Sequence, residues 1–308
     1  MQGKEFYERP LVRRLASIFS NSKPPEKVTE QQFDGFDNDL AATARKAWHE
    51  IDQEDYWHYL LDLAYVDLQP DLFDYLFPAF LIKWWEGLVS HYGGPASETD
   101  IYYAIDHGQV FEKMMDAGRR EEIFAWMMDG YLDAVDSWSG CMNVVYESEG
   151  PNNLHGLLWS FNALGQSVPI LPQIWERLTQ VETPGRAQWW LVLATGLAYL
   201  PNEAPAIPPW NRGTGGGGVY LTESEASIFD HGYLPSNLEF IRSHLTLEVV
   251  ERMLEASVHI LSNSSEVEWA RTVLDRFREE REFVQARHRR FLMLLGEPDL
   301  GGVVDDYF

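Results

Sequence analysis

The chain has 308 residues, 45% of them hydrophobic, a globular composition with enough apolar side chains for a sizeable core. It carries 48 Asp+Glu against 24 Lys+Arg, a net charge of −24. Such a surface repels phosphate backbones and anionic lipid, which disfavours nucleic-acid binding and peripheral membrane attachment by charge. One cysteine, Cys141, excludes an internal disulfide framework and a multi-cysteine metal centre, and it suits a reducing compartment.

The first twenty residues are interrupted by charges and lack the apolar core of a signal peptide. The longest apolar stretch, WWLVLATGLAYL at 189–200, falls short of the ~20 residues that span a bilayer. The chain reads as soluble and cytoplasmic.

Most of the sequence has helical periodicity. Leu40, Ala44, Trp48, Ile51, Trp57, Leu60, Leu61 and Tyr65 recur mostly at three-to-four spacing across 36–66. Gln69-Pro70 ends that run and opens the next helix, because Pro suits a first turn. Pro78 sits inside that helix and predicts a kink or two abutting helices. Gly93-Gly94-Pro95 stops it.

Capping boxes are read at Ser97 to Asp100, Thr222 to Glu225 and Ser265 to Glu268. The last opens one long helix to Leu295, with Trp269, Val273, Leu274, Phe277, Val284, His288 and Leu292 as its apolar stripe. Arg271/Asp275 and Arg278/Glu282 stand four apart as supporting pairs. Thr183-Pro184 starts another helix, which carries the apolar 189–200 run. Only 141–148 and 219–221 look strand-like. The expected fold is all-α, a multi-helix globular protein with stacked antiparallel helix pairs and minor short strands at most.

Residues 201–218 contain four Pro and five Gly, so no core is built there. This places an acidic helical domain at 1–200, a loop or linker at 201–218, and a helical subdomain at 219–308.

Acidity is concentrated toward the N-terminus. Residues 1–150 hold 28 acidic and 12 basic side chains. The sharpest cluster runs from Asp34 to Asp74, with only Arg45 and Lys46 as counterweights. Charge of one sign at this density raises the local potential and attracts a basic partner.

No catalytic constellation emerges. Glu50, Glu54 and His58 fall at four-residue spacing, but the second Glu-x-x-His set of a helical di-metal site is missing. They read as a solvated acidic face, and no metal is expected. The nine histidines show no His-Glu-x-x-His spacing. Arg212 to Gly218 lacks the phosphate-loop pattern and no apolar strand precedes it. Cys141 reads as a small buried hydrophobe. Arg287-His288-Arg289-Arg290 is the one basic cluster and reads as structural, near a helix C-terminus, with a clamp onto the acidic region as the alternative. In Trp84-Trp85 and Trp189-Trp190, neighbouring positions point about 100° apart. One indole of each pair can be core while the other reaches an interface, or both can be buried.

The segment Tyr65-Val66-Asp67-Leu68-Gln69-Pro70, with LFDYLFPAFLIKWW at 72–85, resembles a segment of small bacterial helical domains found near polymorphic toxin systems, which resemble immunity proteins. The resemblance is confined to about residues 65–85 and carries no functional residue with it. It implies an immunity protein that neutralises a cognate toxin, a secretion-system effector with a basic surface, by occluding its active site. No cofactor is implied.

The acidic cluster then supplies steering charges: Asp34, Asp37, Asp39, Glu50, Asp52, Glu54 and Asp55. Trp48, Trp57 and Tyr59 supply anchors. Two alternatives are a helical scaffold or adaptor, and a carboxylate-based glycan-processing enzyme with a helical toroid.

Overall fold

The computed structural model describes residues 8–32, 35–63, 66–90, 101–102, 104–106, 109–113, 115–138, 153–199, 232–262 and 264–296. Among them every regular element is helical and no strand is present, so the fold is all-α. The two strand-like stretches, the 201–218 segment, Cys141 and the capping boxes expected at 97–100 and 222–225 lie outside the described residues. The chain divides into two compact units, Met1–Gly130 and Tyr131–Phe308.

The first unit is organised by its most apolar helix. Helix α1 spans Pro10–Ile18, α2 Asp37–Thr43, α3 Gln53–Asp62, α4 Pro70–Ser90 and α5 Val110–Lys113. Helix α6, Ala117–Ser137, contributes its first turns here. A single 3₁₀ turn, Trp48–Glu50, stands between α2 and α3.

The 36–66 periodicity is therefore split into short pieces rather than one run. Asp52 ends it: its carboxylate accepts from the Asp55 N–H at 3.2 Å, and the Asp55 carboxylate accepts from the Asp52 N–H at 2.9 Å. This reciprocal cap fixes the start of α3.

Helix α4 is continuous through Pro78. Phe73, Phe77, Phe80, Trp84 and Trp85 are all buried along it. The Phe77 ring meets Phe73 at 4.8 Å, Phe19 at 6.2 Å and Phe111 at 6.2 Å. Such ring pairs stabilise by ~0.5–1.5 kcal/mol each beyond their buried area. The Trp84 indole donates to the Tyr102 hydroxyl at 2.7 Å, and the Trp126 indole donates to the Leu11 carbonyl at 2.8 Å.

The second unit is built around α9, Pro184–Ala198. Thr183 caps it by accepting from the Arg186 N–H at 3.3 Å, and Pro184 occupies the first turn, as its sequence predicts. Every residue from Gly185 to Ala198 is buried. The reason is that α9 is covered on several sides, by α7 (Asn153–Ser167), α11 (Leu247–Ile260), α12 (Ser264–Glu279) and α13 (Arg281–Leu294). Helix α8, Leu171–Leu178, packs on α10, Pro235–His244. Helices before and after the Pro/Gly-rich segment share one core, and the division between the two units falls inside α6.

The expected long C-terminal helix is two helices, broken at Glu280, whose backbone leaves helical angles at φ −109° and ψ 38°. Of its stripe, Trp269, Val273, Leu274, Phe277, Val284 and His288 are buried and Leu292 is half-buried. Arg278 bonds to Glu251 and Glu255 on α11 rather than to Glu282. Both indoles of each Trp pair are buried, so neither pair supplies an exposed anchor.

Candidate interaction face

Local capping determines which of the acidic residues near the N-terminus are left facing water. Asp37 opens α2, where negative charge suits the helix dipole, and its carboxylate accepts from the Gln32 N–H at 2.6 Å. Asp39 follows on the same turn. Asp37, Asp39, Glu50 and Asp52 are all exposed. None of the four forms an ion pair among the described residues, although the charges of Glu50 and Asp52 help to raise the Lys46 ammonium.

Other members of the cluster are used internally. Asp55 forms an ion pair with Lys46. Burial pushes its carboxyl up, but the Asp52 N–H and the Lys46 ammonium outweigh this and hold it below its usual value. Asp74 is held by Arg119 and Ser22. Asp62 is buried at 5% exposure.

The expected anchors separate. Trp48 and Trp57 are half-buried, each presenting part of its indole. Tyr59 is 1% exposed and packs on Phe80 at 5.8 Å, so it belongs to the core and cannot meet a partner. Asp34 and the Glu54 and His58 side chains lie outside what is described. Glu50 sits in the 3₁₀ turn and Glu54 on α3 beyond the Asp52 cap, so the 50/54/58 spacing does not run along one helix.

Behind this face lies a polar cluster that the sequence did not announce. Glu30, at 6% exposure, accepts from the Gln69 N–H at 2.7 Å and from the Gln32 amide at 3.2 Å. The Gln69 side chain accepts from the Thr29 N–H at 2.7 Å and donates to the Lys27 carbonyl at 2.8 Å. Burial pushes the Glu30 carboxyl up to about 7, with the Asp62 charge adding to the rise. Thr-Glu-Gln-Gln at 29–32 has neither periodicity nor motif, so only the folded chain reveals it.

Two members of the basic cluster on α13 are tied into their own unit, while Arg289 is exposed. Arg287 donates to the Gly196 carbonyl at 2.9 Å, and the buried His288 ring lies 2.6 Å from the Leu245 carbonyl.

Among the described residues no group of three or more His, Cys, Asp or Glu side chains is placed to hold a metal ion. No helix among them is long and apolar enough to cross a membrane. Met293 is the one large hydrophobic residue among them that is exposed. Searches of protein-family models, curated proteins and solved structures found no match to the chain.

Proposed function

We propose that the chain is a binding protein for a basic protein partner and acts as the immunity protein of a bacterial toxin, occluding the toxin's active site. The observation that carries this reading is the exposed set Asp37, Asp39, Glu50 and Asp52, in no ion pair among the described residues and flanked in sequence by the half-buried Trp48 and Trp57. Exposed carboxylates outside ion pairs accelerate encounter with a positive surface. An indole already held on one side contributes contact area with little entropy left to lose. The location that follows is the cytoplasm, where such a protein meets its partner.

Co-expression with the product of the gene immediately upstream tests it. The expected outcome is a stoichiometric complex and rescue of cells from that product. A harmless neighbour that forms no complex removes the proposal and leaves a scaffold or adaptor as the better reading.

A further inference from the structure

A buried carboxyl joins three segments of the first unit. Glu30 lies in the irregular stretch 27–32, which runs beside the entry of α4. The two residues it bonds, Gln69 and Gln32, are both neutral. The charged and titratable groups near it are acidic or phenolic: Asp62 and Tyr59 from α3, and Asp71 from the first turn of α4. Asp71 is tied to the cluster through the Gln69 amide, at 2.8 Å.

Two further polar atoms there are buried without a hydrogen-bond partner, the Gln32 Oε1 and the Tyr59 hydroxyl oxygen. A carboxylate can only accept, so it cannot satisfy Gln32 Oε1. A carboxylic acid can donate. As folded, both bonds that Glu30 makes, from the Gln69 N–H and from the Gln32 amide, are donated to it and favour the anion. Burial at 6% exposure, with the Asp62 carboxylate nearby, outweighs those two bonds and favours the neutral acid.

The consequence reaches the exposed face. The Gln32 N–H also bonds Asp37, at the start of α2. We infer that Glu30 is a proton-operated latch: neutral, it holds segment 27–32 against the entry of α4 and sets the start of α2, and on losing its proton beside Asp62 it loosens both. This inference concerns the chain alone and does not depend on the identity of any partner.

The sign follows from burial. The latched form binds the proton more tightly than the open form, in which the carboxyl returns toward its ordinary 4.5. Latching is therefore complete at low pH and weakens as pH rises from about 4.5 toward about 7, with little further change above. Opening grows by at most about tenfold per pH unit in that window.

Hydrogen exchange of the full chain, read by peptide and corrected for intrinsic exchange rates, tests this in wild type, Glu30→Gln and Asp62→Asn. The expected result is a loss of protection over 27–32 and 69–72 of about tenfold or more from pH 5 to pH 8. Glu30→Gln, which mimics the neutral acid, stays protected throughout. Asp62→Asn moves the wild-type midpoint to lower pH, because it removes the charge that opposes ionisation. Protection in wild type that does not change with pH overturns the latch. So does the same pH dependence in Glu30→Gln. Should Glu30→Gln fail to fold, an unmoved midpoint in Asp62→Asn overturns it alone.

Discussion

Arg186 grips Asp136 with two guanidinium nitrogens, Nε at 2.7 Å and Nη2 at 2.5 Å, while its third nitrogen donates to the Arg177 and Gln180 carbonyls at 3.1 and 3.0 Å. The Arg186 side chain is 4% exposed and that of Asp136 30%. Thr183, the cap of α9, donates its hydroxyl to the same carboxylate at 2.7 Å. One ion pair thus fixes the start of α9, the helix around which the second unit is built.

Removing one partner strands the other charge, so Asp136→Ala should cost about 3 kcal/mol and lower the melting temperature of the second unit by about 6–12 °C. Asp136→Leu combined with Arg186→Met should recover much of that loss, because no buried charge is left unpaired. Calorimetry on the two variants checks both. A single variant that melts like wild type would show that water already replaces the carboxylate.

Glycine substitutions separate close packing from open space. A Cβ at Gly185 would sit 1.8 Å from the Val135 carbonyl oxygen, a backbone atom that moves only if α6 and α9 part. At Gly165 it would lie 2.6 Å from the Tyr233 ring. Gly185→Ala should cost at least about 3 kcal/mol, the upper range of overpacking, and Gly165→Ala about 1–3 kcal/mol. At Gly118 the nearest atom is 3.4 Å away, and Ala is the better helix former, so Gly118→Ala should be neutral or stabilising by up to about 1 kcal/mol. Thermal denaturation of the three variants tests this ranking.

The second unit should respond to pH in the direction opposite to the Glu30 cluster. Burial pushes the His288 imidazole below its usual 6.5, against the Leu245 carbonyl and the Glu248 charge, which favour protonation. The folded state disfavours the imidazolium, so this group's contribution is full above about pH 6.5 and is lost as pH falls through that value. His288→Gln, which keeps a donor for the Leu245 carbonyl, should flatten the loss of stability of the second unit between pH 7 and pH 5. An unchanged slope would assign the loss to other groups.

Local signals revealed helix identity, and tertiary pairing hid much of the rest. Thr183-Pro184 marked the start of α9 because cap and first-turn proline act within four residues. Asp52 and Asp55 carried a comparable signal, masked by apolar spacing that continued across the break. The break at Glu280 has neither Gly nor Pro to mark it. The fate of each acidic residue depended on partners remote in sequence: Arg119 reaches Asp74 across 45 positions, and Gln69 reaches Glu30 across 39. Tyr59 looked available on a face with Trp57, but the Phe80 ring covers it. Trp189 and Trp190 pointed apart as helical geometry requires, and neighbouring helices covered both.

Capture of a basic partner by the exposed carboxylates at 37–52 is read from association kinetics. Association of the purified chain with the product of the upstream gene should be measured at about 50 and about 500 mM salt, for wild type and for Asp39→Lys/Glu50→Lys/Asp52→Lys. Steered association predicts a rate about tenfold or more slower at high salt, and a comparable loss at low salt in the triple variant. Trp57→Ala should leave that rate alone and speed dissociation. An association rate indifferent to salt and to the triple reversal, or no association at all, would show that these carboxylates do not capture a basic partner.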